Sequence, residues 1–232
     1  MTTTVEHVVH PDDVAPTRTD GVEVRVTFDA RNGCERLEQR ILRFDRGASQ
    51  EWQTDVNQEL LYVASGRGTI TVEGDEYPLD ADTGMYLAPG TSYGVDAADE
   101  LVVVAVTAPY QRAGERPPTV VRFAEQQELE ASPERSFRYL VEEGDLTQFI
   151  GIVQPSKAPF HSHPYDEVGY IIEGEGIAHV AGTRTPLRSG SCFHLPPTLV
   201  HCIENTGPGP MRILGVFHPS DSPASRLYPD NK

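Results

Sequence analysis

The 232-residue chain is short of the features that mark several large protein classes. Its three cysteines, Cys34, Cys192 and Cys202, are an odd number with no CxxC pair. That excludes a disulfide framework and leads us to expect reduced thiols in a cytoplasm. No apolar run approaches the roughly 20 residues needed to span a bilayer. The opening "MTTTVEHVVHPDD" has neither a basic flank nor an apolar core, so no export signal is expected. Basic residues are also scarce: 19 Lys and Arg stand against 35 Asp and Glu, a formal net charge of −16. Such a balance repels a phosphate backbone and excludes nucleic acid as the expected partner. Helical periodicity is scarce too. The candidates are one short segment over 124–129 and a second at the very start of the chain.

What the chain does have is strand-and-turn punctuation. Brief β-branched and aromatic runs such as "LLYVASG", "GTITVEG", "LVVVAVTAP" and "VGYIIEG" alternate with Gly, Pro, Asp and Asn. Many short strands at regular spacing predict an all-β sandwich or barrel. There is also an internal repeat. Residues 59–79, "ELLYVASGRGTITVEGDEYPL", align with residues 167–187, "EVGYIIEGEGIAHVAGTRTPL", at a constant offset. Gly66, Gly68 and Gly74 meet Gly174, Gly176 and Gly182, and Pro78 meets Pro186. Matching turn residues imply matching backbones. We therefore expect two tandem copies of one β domain, over 1–112 and 113–232, joined by the Pro- and Gly-rich stretch 108–120.

The second copy carries the chemistry. In "PFHSHPYDEVGYIIEGEG" (159–176), His161, His163 and Glu167 are all odd-numbered, so on extended backbone they share a face. Imidazole nitrogens with a carboxylate oxygen suit a divalent first-row metal. One strand region cannot complete such a site, and the distant "GSCFHLPPTLVHCIEN" offers His201 as a further ligand.

On these residues the second half resembles a cupin domain. The first cupin motif reads here as His161, His163, Glu167 and Gly174, and the second as Gly190, Pro196, His201 and Asn205. Thr198 stands where that family usually has a turn glycine. The resemblance implies a jelly-roll barrel that holds one divalent ion through His161, His163, Glu167 and His201. Fe(II) is the expected metal, with Mn, Ni and Zn as alternatives. At the same offset the first copy has Gln53, Asp55, Glu59 and Tyr93, a set poor in metal ligands. The whole chain thus resembles a bicupin with one working site, and its first barrel is expected to be structural, dimerising or a degenerate pocket.

Other residues complete the expectations. His179 and His194 lie on strands that would line or back the barrel, and are the candidate catalytic acid–base groups. Phe160, matched by Trp52, is expected to pack at the barrel mouth. Tyr165 and Tyr170 are candidate substrate contacts, with a core or surface role as the alternative. Cys202, next to a ligand, should point away from the metal by strand alternation. Cys192 is also read as a buried thiol, and His218 as a surface residue at the start of the exit tail. Three histidines and one glutamate would leave about two octahedral positions open to a keto acid, enediol or catechol-like substrate. A dioxygenase is the first expectation; a non-redox isomerase, decarboxylase or lyase is the second, and a binding protein without catalysis the third. The expected partner is a small molecule, with no membrane and no nucleic acid. Unpaired strand edges make a homodimer a further expectation.

Overall fold

Residues 6–110 and 117–229 are described in a computed structural model. Alternation organises each half. On the strand Asn57–Ser65, Glu59, Leu61 and Val63 point into one barrel, while Leu60 and Tyr62 point out of it, and all five are buried. The equivalent strand Asp166–Glu173 sends Glu167, Gly169 and Ile171 inward and Val168 and Tyr170 outward. A strand buried on both faces reads as a nearly continuous apolar run, which is why these segments are so hydrophobic.

Each half is a seven-stranded sheet facing a four-stranded one, with the strands of the two halves in the same spatial order. The fold is therefore all-β, with two tandem jelly-roll barrels. The outward faces of the two large sheets meet. Phe28, Ile41, Leu60 and Tyr62 from the first half pack with Ile150, Val168, Leu214 and Val216 from the second in one core. At about 1.5–3 kcal/mol per fully buried large apolar side chain, this shared layer binds the two barrels into one body.

The halves also trade strands. Val8–Val9 pairs with Cys192–Leu195 at the edge of the second sheet. Thr119–Arg122 pairs with Thr83–Leu87 at the matching edge of the first. So each of the halves expected over 1–112 and 113–232 lends one strand to the other. The linker expected over 108–120 lies partly outside the described residues.

The helix expected over 124–129 does not form. Phe123–Glu125 makes a single 3₁₀ turn, and Leu129 already begins the next strand. The first candidate helix is likewise reduced to the 3₁₀ turn Pro11–Asp13, residues 1–5 lying outside the described residues. Neither segment has an apolar stripe long enough to repay helix nucleation. No helix among the described residues is long and apolar enough to cross a membrane.

Candidate metal centre

Two strand regions bring the predicted ligands to one wall of the second barrel. His161 and His201 face each other in a narrow antiparallel bridge. The His161 N–H donates to the His201 carbonyl at 3.0 Å, and the His201 N–H to that of His161 at 2.9 Å. Thr198, in the turn before His201, donates its N–H to the His163 carbonyl at 2.8 Å. This turn needs a left-handed residue, and Thr198 supplies it at φ +65°. The departure from the expected glycine is thus accommodated in the backbone the glycine would adopt.

One ligand atom from each of His163, Glu167 and His201 lies within 4.8 Å of the other two, and all three residues are buried. His161 stands beside them, its ring centroid 4.5 Å from that of His201. All three histidines donate through Nδ1 to a backbone carbonyl two residues away. The acceptors are Pro159 for His161 at 3.0 Å, Tyr165 for His163 at 2.9 Å and Leu199 for His201 at 2.9 Å. Those bonds place the proton on Nδ1 and leave the Nε2 lone pair as the donor, the arrangement of a metal-ligating imidazole. His163 Nε2 is 2.9 Å from Glu167 Oε2, yet it is buried without a hydrogen-bond partner. A nitrogen lone pair and a carboxylate at that distance repel, and a cation between such donors removes the conflict. Burial lowers the His161 pKa, and brings that of His201 down to about 4, so both rings are neutral and ready to ligate at neutral pH.

Behind the ligands is a cavity of about 100 Å³. Two glycines create it. A Cβ on Gly169 would lie 2.0 Å from the Phe193 ring, and one on Gly215 2.2 Å from the Phe149 ring. Without side chains at these positions, both rings lie flat against the sheet and form apolar walls. Tyr165 stacks on His163 with ring centroids 4.1 Å apart, and on Phe217 at 4.2 Å, fixing the plane of the ligand ring. Its hydroxyl reaches the Ser222 and Ser225 carbonyls at 3.4 Å each, so the C-terminal tail closes over the mouth. Burial, followed by the charge of Glu167, pushes the Tyr165 phenol well above its ordinary pKa.

The Cupin domain family matches residues 40–107 and 149–217, more than half of the chain. The chain belongs to the cupin family. Its fold is that of known bicupins. A glyoxylate-induced protein from Pseudomonas aeruginosa superposes with a TM-score of 0.80 at 18% identity, over 96% of this chain and 91% of that one. Bacillus subtilis oxalate decarboxylase, studied for its Mn(II) centres, gives 0.78 at 16% identity over 98% and 80%. Protein Ylba from E. coli gives 0.78 at 15% over 96% of both chains. Among curated proteins, uncharacterized protein MJ1618 of Methanocaldococcus jannaschii is 34% identical over 65 residues. That match takes in 28% of this bicupin and 52% of the relative, so the chain spans about half the relative's length.

Neither of the histidines expected as acid–base groups lines the bicupin's cavity. His179 is opposite Cys202 in the sheet, on the other face from His201, and its Nε2 is 2.6 Å from Glu204 Oε2. His194 is opposite Val168 and so faces the neighbouring barrel, fully buried beside Phe28, with Nε2 3.1 Å from Asp166 Oδ1. Strand alternation decides both cases, since each shares a face with a residue adjacent to a ligand and not with the ligand itself. The same rule turns Cys202 away from the metal wall, where its thiol donates to the Ala158 carbonyl at 3.0 Å. Cys192 lies in the shared core with Tyr170, so that tyrosine is a packing residue. Phe160 is exposed on the outer face, edge-on to His179. His218 is half-buried, 3.3 Å from Asp145.

Among the described residues, the first cupin gathers no cluster of metal-ligand side chains. Gln53 and Asp55 are exposed, and Trp52 is the residue opposite Tyr93 and stacked on it. The equivalence with His161 is thus displaced by one residue from the constant sequence offset. Glu59 is fully buried, accepting from the Tyr93 hydroxyl at 2.7 Å and from the Arg40 guanidinium. Leu61, Met85 and Ala105 hold the ladder positions that Gly169, Phe193 and Gly215 hold in the second barrel. Only about 10 Å³ of space is left there. Sequence reasoning passed over Arg40, Phe149 and the two cavity glycines. A Leu61-to-Gly169 mismatch in otherwise matching strands was the signal available.

Proposed function

We propose that this bicupin is a metal-dependent enzyme whose second barrel acts on a small oxygen-chelating substrate, with dioxygen as co-substrate. The observation that carries the metal reading is the unpartnered His163 Nε2 facing Glu167 and His201, in a buried cavity. His161, its Nδ1 likewise turned to a backbone carbonyl, would be the fourth ligand. The ion, Fe(II) by preference, would supply Lewis acidity and one-electron chemistry. The chain's part is to hold the ligand rings through their backbone carbonyls, to leave about two positions open, and to exclude water with Phe149, Phe193 and Phe217.

The cavity's side chains favour an oxygenase over a proton-shuttling isomerase. With the four ligands committed, the remaining described groups able to exchange a proton there are Arg135, Ser136, Tyr165, Ser225 and Arg226. Serine, arginine and tyrosine side chains are poor proton shuttles at neutral pH, and burial raises the Tyr165 pKa further. A decarboxylase or lyase is the second reading. It is supported by the shared fold of B. subtilis oxalate decarboxylase and by that protein's Mn(II) centres. A cytoplasmic setting and a homodimer belong to the same proposal, and sedimentation would test the dimer.

Metal analysis of the purified protein comes first. About one equivalent of a transition metal per chain is expected, and a small fraction of that would favour a binding protein without catalysis. Oxygen uptake by the Fe(II) form with candidate 2-oxo acids and enediols then decides between the two chemistries. Turnover without oxygen consumption would replace the oxygenase reading with the lyase one.

A further inference from the structure

We infer that Arg135 and Arg226 form an anion-binding subsite at the cavity mouth, which selects a substrate bearing a carboxylate. Arg135 begins the strand Arg135–Glu143, and Arg226 is carried on the C-terminal tail; both line the same cavity as the metal ligands. The tail is fixed at this point. Leu227 and Ser162 exchange two backbone hydrogen bonds of 2.8 Å each, pinning residue 226 beside the segment that carries His161 and His163.

The pair is singled out by what it lacks. In this acidic protein most described arginines have a carboxylate partner, among them Arg40 with Glu59, Arg43 with Asp12 and Arg212 with Asp82. Of those without one, Arg46, Arg184 and Arg188 are exposed to water. Arg135 and Arg226 are the two that are partly buried, and they converge on one cavity. Arg135 spends one donor on the Ile203 carbonyl at 3.0 Å, leaving the rest of its fork unmatched by any acid. Burial and then the charge of Arg226 pull the Arg135 pKa below its ordinary value, outweighing the opposite pull of Glu134, so two like charges are held close together. A carboxylate is the ligand whose geometry a guanidinium fork matches.

Size narrows the class further. An apolar cavity of about 150 Å³ accommodates benzene, and this one is about 100 Å³. With the tail in place, a space of that size suits a short oxo acid better than a catechol-sized ring. The inference thus selects the acid among the oxygen-chelating substrates proposed above. It rests on that reading only for the role of the metal.

The test compares pyruvate with its uncharged methyl ester as probes, in protein stripped of metal by chelation and again after reloading with one equivalent. Ligand-observed NMR or calorimetry gives the affinities. Pyruvate should bind the metal-free protein at least about tenfold better than the ester. Arg226→Gln and Arg135→Gln should each bring that ratio close to one, and Arg226→Lys should restore part of it. Metal content measured on the same samples should not change, which separates this subsite from the metal reading. If pyruvate does not bind the metal-free wild type, or binds no better than the ester, the inference fails. It also fails if Arg226→Gln keeps the wild-type ratio.

Discussion

The Arg40 guanidinium donates to the Glu59 carboxylate inside the first barrel, at the ladder position from which Phe149 lines the cavity of the second. Glu59 and Glu167 are counterparts, one neutralised by an arginine and the other facing histidines. The first barrel pairs its acid with an arginine at the place where the second gathers candidate metal ligands. Burial pushes the Glu59 carboxyl up, against the opposing pull of Arg40 and Tyr93. Arg40→Leu should therefore cost about 3–5 kcal/mol, because it strands an acid without a partner. The double change Arg40→Leu with Glu59→Leu should cost much less. Urea denaturation of the three variants measures the difference, and equal losses in the single and double variants would contradict the pairing.

Metal stoichiometry tests the division of labour between the barrels. His163→Ala should reduce bound metal from about one equivalent to near zero, since it removes a proposed ligand whose buried, unmatched Nε2 faces the site. Tyr93→Phe should leave the content unchanged. Parallel losses in both variants would mean that the first barrel also takes part.

The turn before His201 stores strain. Thr198 sits at φ +65°, a conformation that costs a non-glycine residue about 1–2 kcal/mol. Part of that is offset by the lower entropy that threonine has in the unfolded chain. Thr198→Gly should stabilise the protein by about 0.5–1 kcal/mol and raise its melting temperature by a few degrees. A lower melting temperature would show that the threonine side chain makes up for its backbone.

Cavity formation depends on missing side chains. Gly215→Ala would put a methyl 2.2 Å from Phe149 and push the ring toward the ligands. A loss of about 1–3 kcal/mol is expected, together with weaker metal binding. Pairing it with Phe149→Leu should recover much of both. Calorimetry and metal titration on the two variants follow each quantity separately.

Acid should weaken the metal-free protein through His201. Burial lowers its pKa from 6.5 to about 4, so the unfolded chain takes up a proton that the folded chain refuses. The stability of the neutral buried ring is complete above about pH 6.5 and is lost as pH falls toward 4. Melting temperatures of the chelated protein should drop across that window, and less so for His201→Asn. A flat profile from about pH 7 to about pH 4.5 would count against it.

Much of this was legible from the residues because turns and ligands leave local marks. Glycines at a fixed offset revealed the repeat, and odd-numbered positions put His161, His163 and Glu167 on one wall. His179 and His194 were harder, since their facing depends on which residue across the ladder each one meets. That register is set by bulges and long-range pairing that no short window contains. The Arg135–Arg226 pair was out of reach for the same reason: 91 residues separate its members, and only the folded tail brings them together.

The traded edge strands have a consequence for how the protein can be divided. Each barrel's open edge is sealed by a segment from the other half, so a cut in the linker alone would leave two chains still interlocked. Either half produced alone would expose a row of unsatisfied backbone groups and would tend to self-associate. The two halves produced together as separate chains should find each other and rebuild the whole. The duplicated barrels are thus bound to a shared fate, and the one without the cluster of candidate ligands still completes the sheet beneath the one that has it.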